Sequence, residues 1–120
     1  MPQITVEYSA PLAEAFDRRP FALALHARSA ELIGSALDAH KTRFVPLDQV
    51  VIGDGDPAHA MIHVDLAIMA GRDAATRDRL AGDVLDLVRA HLKDGTGYTV
   101  QTTVEIRELA PELYFKHVVA

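Results

Sequence analysis

The sequence predicts an α+β fold in which two β-α-β units form a four-stranded sheet with two helices on one face. Apolar and polar residues alternate in four segments, which is typical of half-buried strands. Each pair of segments flanks one stretch with helical spacing of its apolar residues. Right-handed crossovers then favour one shared side for the helices. A ferredoxin-like βαββαβ arrangement has the same periodicity and remains an alternative.

The first half contains a strand, a helix and a second strand. The opening strand is predicted over Pro2–Tyr8. The first helix is predicted over Pro20–Ile33, because proline suits the first helical position and Gly34 suits the C-terminal stop. The second strand is predicted over Lys41–Val45, with Pro46 limiting its pairing.

The second half repeats this order more clearly. Alternation through residues 59–69 predicts the third strand. Asp73 is a suitable N-cap for the second helix. Gly95 and Gly97 separate this helix from a fourth strand over about Tyr98–Glu108. The chain is therefore expected to be a single domain of residues 1–120, with halves of about 1–57 and 58–120.

Composition narrows the range of functions. The 120 residues are 49% hydrophobic and 24% charged, which are ordinary globular values. The net charge of −5 argues against a nucleic-acid partner. The sequence contains no cysteine, no apolar run long enough for a membrane span and no secretory signal pattern. A soluble cytoplasmic protein is expected.

The second residue is the first candidate for chemistry. Removal of Met1 would leave Pro2 with a secondary amine on the apolar side of the first strand. Burial disfavours a charged amine, so its pKa is expected to fall below the ordinary value. A neutral amine near pH 7 can act as a general base. If Met1 is retained, Pro2 has an amide nitrogen and cannot do so.

Three basic residues at the edges of elements are candidate anion-binding groups. Lys41 and Arg43 share one face of the second strand, and Arg72 precedes the second helix. Arginine can clamp a carboxylate with two parallel hydrogen bonds, whereas lysine supplies a compact charge. Taken singly, each residue also fits an ordinary solvated surface charge.

An ordered set of motifs along nearly the whole chain resembles the 5-carboxymethyl-2-hydroxymuconate isomerase family of the tautomerase superfamily. The motifs are Met1-Pro2-x-x-x-Val6-Glu7-x-Ser9, Lys41-x-Arg43, Ile62-His63-Val64-x-Leu66-x-Ile68-x-x-Gly71-Arg72, Val104-Glu105-Ile106-x-Glu108 and Tyr114-Phe115-Lys116. The resemblance implies a tautomerase-like fold, a homotrimer, no metal or cofactor, and a role in aromatic compound catabolism.

The resemblance also implies a reaction and a site. Pro2 would be the catalytic base, and Arg72 and Lys41 would bind the substrate. Arg43, on the same strand face as Lys41, is a further candidate that could compensate for the lysine at position 41. Lys41 stands where the family is expected to have arginine, which keeps the charge but loses the bidentate fork. The expected reaction is intramolecular isomerisation, as a keto-enol tautomerase or delta-isomerase. It moves a proton between carbons of a small anionic unsaturated 2-hydroxy or 2-oxo dicarboxylic acid such as 5-carboxymethyl-2-hydroxymuconate.

Two other functions remain open at this stage. One is a non-catalytic ferredoxin-like module that binds ligands or partners, and the other is a tautomerase-superfamily hydratase or dehalogenase. An assembly is also expected, because the uncovered sheet face and the apolar tail would leave a large patch on a monomer. The tail comprises residues 110–120.

Overall fold

The computed structural model describes all 120 residues, and its elements follow the predicted order. The strands and helices are β1 (Gln3–Ser9), α1 (Arg18–Ile33), β2 (Lys41–Leu47), β3 (His59–Met69), α2 (Ala74–Ala90) and β4 (Thr99–Leu109). Three one-turn 3₁₀ helices lie between or after them. The predicted bounds differ from these by no more than two residues.

The strand order of the sheet is β2-β1-β3-β4. The β1–β2 and β3–β4 pairs are parallel, and the central β1–β3 pair is antiparallel. Both helices lie on one side, where Arg28 of α1 and Asp83 of α2 form an ion pair of 3.7 Å. The predicted fold of two β-α-β units is therefore confirmed. The ferredoxin-like alternative is wrong, because β1 and β2 are direct neighbours and no strand separates them.

Local chemistry explains where the elements end. Gly34 follows α1 with a φ of 68°, a left-handed conformation that favours glycine. The Asp73 carboxylate accepts a hydrogen bond of 2.8 Å from the backbone N–H of Thr76, as an N-cap does. Pro46 lies within β2 and pairs with Tyr8. The proline is tolerated because β2 is an edge strand.

The core lies between the helices and the inner face of the sheet. It contains Ile4, Val6, Ile62, Val64 and Leu66 from the two central strands, all fully buried. The helices close it with a row of buried side chains, which are Phe21, Leu25, Ile33, Leu80, Val84 and Val88. Each strand therefore contributes alternate residues to the core, as its period of two requires.

The opposite, open face of the sheet is polar. Its central positions alternate with the core residues and include Gln3, Thr5, Glu7, His63 and Asp65. The Asp65 carboxylate accepts a hydrogen bond of 2.8 Å from Arg107 on this face. The expectation of an apolar open face is wrong, because the apolar half of each alternating strand faces the helices.

Exposed apolar surface is instead concentrated in the tail. Phe115 is 86% exposed and Val119 is 80% exposed, and Leu113 and Val118 are also largely uncovered. Neither helix is long and apolar enough to cross a bilayer. The tail is thus the part of the chain that most needs a covering surface.

Candidate active site

Pro2 lies buried at the start of the central strand β1. Its carbonyl accepts a hydrogen bond of 3.2 Å from the backbone N–H of Lys41. Pro2 precedes Gln3 and so continues the inward-facing series of Ile4 and Val6. Because β3 is antiparallel to β1, the end of β3 lies at the same end of the sheet. Residues from three strands and the tail can therefore surround the amino terminus.

The terminal amine lies in a desolvated and positively charged setting. With Met1 present, burial lowers the pKa of the Met1 amine below its ordinary value of 8.0, and the charges of Lys41 and Lys116 lower it further. Each effect penalises the ammonium form. Removal of Met1 would place the amine on Pro2, one residue further into the same surroundings.

Lys41 and Arg43 lie on the open face beside the start of β1. The register pairs Lys41 with Gln3 and Arg43 with Thr5. Arg43 donates from Nη1 to Thr5 Oγ1 at 3.2 Å and from Nη2 to Gln3 Oε1. The predicted shared face of the two cations is confirmed, and both lie close to the amino terminus.

Arg72 lies at the same end of the sheet but on the helix side. Its Nη1 donates to the Met69 carbonyl at 3.1 Å, and its Nη2 donates to the Ile33 carbonyl at 2.9 Å. These bonds join the turn after β3 to the last residue of α1. Two of the five guanidinium N–H groups are thereby used, and three remain for another acceptor. No hydrogen bond connects Arg72 with Pro2, Lys41 or Arg43.

The tail adds a cation for which the sequence predicted no role. Gln3 Nε2 donates a hydrogen bond of 3.1 Å to the Tyr114 hydroxyl, so the tail folds back over the start of β1. This brings Lys116 close enough to lower the pKa of the terminal amine. The available signal was the Tyr114-Phe115-Lys116 motif, although spacing alone does not show that the tail returns to β1.

His40 is a second residue near the amine that sequence reasoning missed. It is only 6% exposed and directly precedes Lys41 at the start of β2. Its ring lies 5.5 Å from that of His26, centroid to centroid. Burial lowers the pKa of both imidazoles. The available signal was that His40 directly precedes Lys41, the first residue of β2 and already a candidate binding residue.

The cavities of the single chain lie elsewhere. The largest is about 470 Å³ and lies at the opposite end of β1, where its lining includes Ser9, Val51, His59 and Tyr98. None of the four cavities is lined by Pro2, Lys41, Arg43 or Arg72. The candidate site is thus an open surface around a buried proline in the single chain.

The fold is that of a tautomerase-like α+β protein. The chain matches the family model described as CHMI, 5-carboxymethyl-2-hydroxymuconate isomerase, over residues 2–119. It therefore belongs to the 5-carboxymethyl-2-hydroxymuconate isomerase family. Membership supports an isomerase function. None of the curated proteins is similar enough in sequence to match the chain.

Solved structures share the fold at low sequence identity. A 5-carboxymethyl-2-hydroxymuconate delta-isomerase is 19% identical with a TM-score of 0.81, over 99% of this chain and 89% of that one. A 5-carboxymethyl-2-hydroxymuconate isomerase from Deinococcus radiodurans R1 is 21% identical with a TM-score of 0.74, over 97% and 88%. A structure described as a Q0 fused 4-OT wild type symmetric trimer is 22% identical with a TM-score of 0.69, over 90% and 85%.

Proposed function

We propose that this protein is a cofactor-independent isomerase that moves a proton between carbons of an unsaturated 2-hydroxy or 2-oxo dicarboxylic acid, such as 5-carboxymethyl-2-hydroxymuconate. The observation that carries the proposal is the position of Pro2, which is buried at the start of β1 and bonded through its carbonyl to Lys41 of β2. Burial and the charges of Lys41 and of Lys116 in the tail lower the pKa of the Met1 amine next to it. Family membership supports the isomerase class. The base would be Pro2 after removal of Met1.

A neutral proline amine can perform both proton transfers. It first takes a proton from the enol hydroxyl, or from the carbon next to the conjugated system, and becomes a secondary ammonium. The electron pair that is released moves through the conjugated system to a distant carbon. The ammonium then returns its proton to that carbon, which restores the neutral amine. A base with a lowered pKa is suited to this cycle near neutral pH.

The cations around the amine are suited to a dicarboxylate. Lys41, Arg43 and Lys116 lie beside the start of β1, although the chain as a whole carries a net charge of −5. Local positive charge can attract an anion to an otherwise acidic protein. Arg72 has three free N–H groups and would bind a carboxylate or the developing dienolate. In this proposal the four cations are the substrate-binding groups.

We further propose a homotrimer in which a neighbouring subunit completes the pocket. The fused 4-OT structure of similar fold is a trimer. The single chain offers no cavity at Pro2, and its exposed tail begins beside the same end of β1. In a closed ring, the same contact between subunits would bury the tail and enclose the site.

The proposal is tested with the purified chain and 5-carboxymethyl-2-hydroxymuconate. Intact mass should show a chain without Met1, and ultraviolet absorbance should follow the loss of the conjugated dienol. Pro2→Ala should lose most of the turnover while remaining folded, because a primary amine retains only part of the basicity and placement. Acylation of the terminal amine should abolish the remaining turnover.

Pro11→Ala is the matched control. Pro11 lies in a one-turn 3₁₀ helix after β1, at the far end from Pro2. Its replacement should leave turnover unchanged. Retention of Met1, or wild-type turnover in Pro2→Ala, would show that Pro2 is not the base. Turnover of a halogenated or hydratable unsaturated acid, without isomerisation, would favour a dehalogenase or hydratase instead.

A further inference from the structure

His40 is held beside Pro2 by the pairing of β1 and β2. Lys41 N–H donates to the Pro2 carbonyl, and the register pairs Lys41 with Gln3. One step back along both strands places His40 alongside Pro2. Both side chains lie on the helix side, opposite to that of Lys41. Neighbouring strands are about 4.8 Å apart, so the imidazole and the pyrrolidine ring are lateral neighbours.

The hydrogen bonds of His40 fix the position of its proton. Nδ1 lies 3.0 Å from the Ala36 carbonyl, which can only accept. Nδ1 therefore carries the proton, and in a neutral imidazole Nε2 is then an acceptor. This Nε2 is buried and has no hydrogen-bond partner in the chain. A buried polar atom without a partner is costly and calls for an explanation.

The other groups around His40 do not supply that partner. His26 of α1 packs against the His40 ring, but its own Nε2 is bonded to Thr42 Oγ1 at 2.7 Å. Lys41 of β2 donates its Nζ to the Ala39 carbonyl at 3.0 Å. The remaining charged group is the terminal amine, whose charge acts on His40. This amine has no hydrogen-bond partner within the chain, so it is available as a donor to Nε2.

We propose that His40 is a positioning residue for the base, with Nε2 accepting a hydrogen bond from the Pro2 amine after Met1 has been removed. This inference rests on the proposed function. A neutral proline amine has one N–H and one lone pair. When His40 accepts the N–H, the lone pair is directed at the substrate. After proton abstraction the ammonium has two N–H groups, so one stays on His40 and the other is returned to the substrate.

The arrangement requires a neutral His40. A protonated imidazole has no acceptor and would repel the ammonium form of Pro2. The groups that face His40 favour the neutral state, since burial, the terminal amine and Lys41 all lower its pKa. Contacts with the Ala36 and Leu37 carbonyls act in the opposite direction. His26 lies against the ring on the helix side, and its own pKa is lowered by burial and then by His40.

Two replacements separate the two nitrogen atoms of His40. In His40→Gln the side-chain oxygen can reach the position of Nε2 and accept from the amine. In His40→Asn the shorter amide can reach only the position of Nδ1, so it keeps a donor for Ala36 and loses the acceptor. The proposal predicts a fall in kcat of about tenfold or more in His40→Asn, with KM nearly unchanged. His40→Gln should recover most of kcat.

A second readout does not depend on isomerase activity. The rate of acylation of the terminal amine as a function of pH gives the amine pKa in the chain without Met1. Loss of an acceptor for the ammonium should lower this pKa in His40→Asn and not in His40→Gln. His26→Asn is the control and should leave it nearly unchanged, because the His26 Nε2 already has Thr42 as its partner.

The outcomes distinguish this inference from the proposed function. Equal amine titration and equal kcat in His40→Asn and wild type would overturn it. If His40→Asn fails to fold, ¹⁵N NMR of the wild-type imidazole decides, and a proton on Nε2 at neutral pH would also overturn it. If the titration shifts as expected but the wild-type chain does not isomerise the dicarboxylate, the contact with His40 stands and the proposed reaction fails.

Discussion

Gln3 and Tyr114 are joined by a hydrogen bond of 3.1 Å from the Gln3 amide to the tyrosine hydroxyl, although 111 positions separate them in the chain. The other side of the Gln3 amide accepts from Arg43. One side chain thus links β2, β1 and the tail at the end of the sheet where Pro2 lies. Lys116 comes close to the terminal amine because Tyr114 is held there.

Removal of the tyrosine hydroxyl is expected to loosen the tail. In Tyr114→Phe the Gln3 Nε2 loses its acceptor, which costs about 1 kcal/mol for a partly buried hydrogen bond, while Gln3 Oε1 keeps Arg43. Lys116 is then held less closely, so its charge lowers the amine pKa less and that pKa should rise. The measurement is the pH dependence of amine acylation. Tyr98→Phe is the control, because the Tyr98 hydroxyl forms no hydrogen bond within the chain.

Neutralising the tail cation should have a similar but more direct effect. Lys116→Gln removes a positive charge that disfavours the ammonium, so the amine pKa rises and the acid limb of kcat/KM moves to higher pH. Lys93→Gln, whose Nζ bonds the distant Glu14 carbonyl, should leave the limb in place. An acid limb unmoved by Lys116→Gln would show that the tail does not influence the base.

The fold could be predicted because its determinants are local. The alternation around Val64, the cap at Asp73 and the stop at Gly34 each act within a few residues, and the structure confirms all three. The expectation of an apolar open face was wrong, and the strands show why. Alternation shows that one face is apolar, but only the sheet order and helix placement show which face the helices cover.

The candidate site could be predicted from local sequence patterns only in part. Lys41 and Arg43 were found because strand periodicity places them on one face. Lys116 and His40 were not assigned roles, since their positions depend on a returning tail and on the register between two strands. The two carbonyls bound by Arg72 belong to separate elements, Ile33 of α1 and Met69 of β3. No local pattern predicts such a contact.

Replacement of Arg72 should therefore affect stability as well as turnover. Arg72→Ala leaves the Ile33 and Met69 carbonyls without a donor, which should lower the free energy of unfolding by about 1–3 kcal/mol. Turnover should fall about ten- to a hundredfold if Arg72 also binds the substrate. Urea unfolding and kinetics on the same preparation separate the two effects.

Arg79→Ala is a suitable control for Arg72. Arg79 is exposed on α2, and its contact with Asp83 is long at 4.0 Å. Such a surface pair contributes little, so both stability and turnover should remain close to wild type. Normal turnover in a folded Arg72→Ala variant would limit Arg72 to its structural contacts and remove it from the substrate site.

Stability should decline as the pH falls through the range in which histidines titrate. Burial lowers the pKa of His26 and of His40 below the ordinary value of 6.5. At pH values between the lowered pKa of the folded chain and 6.5, the unfolded chain therefore binds more protons than the folded chain. The stabilisation is fully present above pH 6.5 and is lost as the pH falls through the lower folded pKa values. Urea unfolding at a series of pH values measures this slope.

The double variant His26→Gln, His40→Gln should flatten that dependence, because neither amide titrates. His117→Gln provides the comparison, since His117 lies exposed in the tail. Its slope should match that of the wild-type chain. A double variant with an unchanged slope would show that other groups cause the acid sensitivity.

The final prediction concerns the assembly. Sedimentation equilibrium should report about three times the 13.1 kDa chain mass. The apolar surface available for an interface lies in the tail, where Phe115, Val118 and Val119 are exposed. The open sheet face is polar. Replacement of these three residues by serine should therefore weaken the trimer. Leu23→Ser, at a position of α1 that is 56% exposed, tests whether any loss of exposed apolar surface has the same effect.

Activity should follow assembly if a neighbouring subunit walls the site. Dilution of the triple serine variant should then reduce kcat/KM together with the trimer fraction, whereas the Leu23→Ser protein should remain a trimer with wild-type kinetics. A monomer with full activity would contradict both the trimer and the shared pocket. A stable trimer in the triple variant would instead show that subunits associate through the strand edges, where β2 and β4 each leave one side of the backbone unpaired.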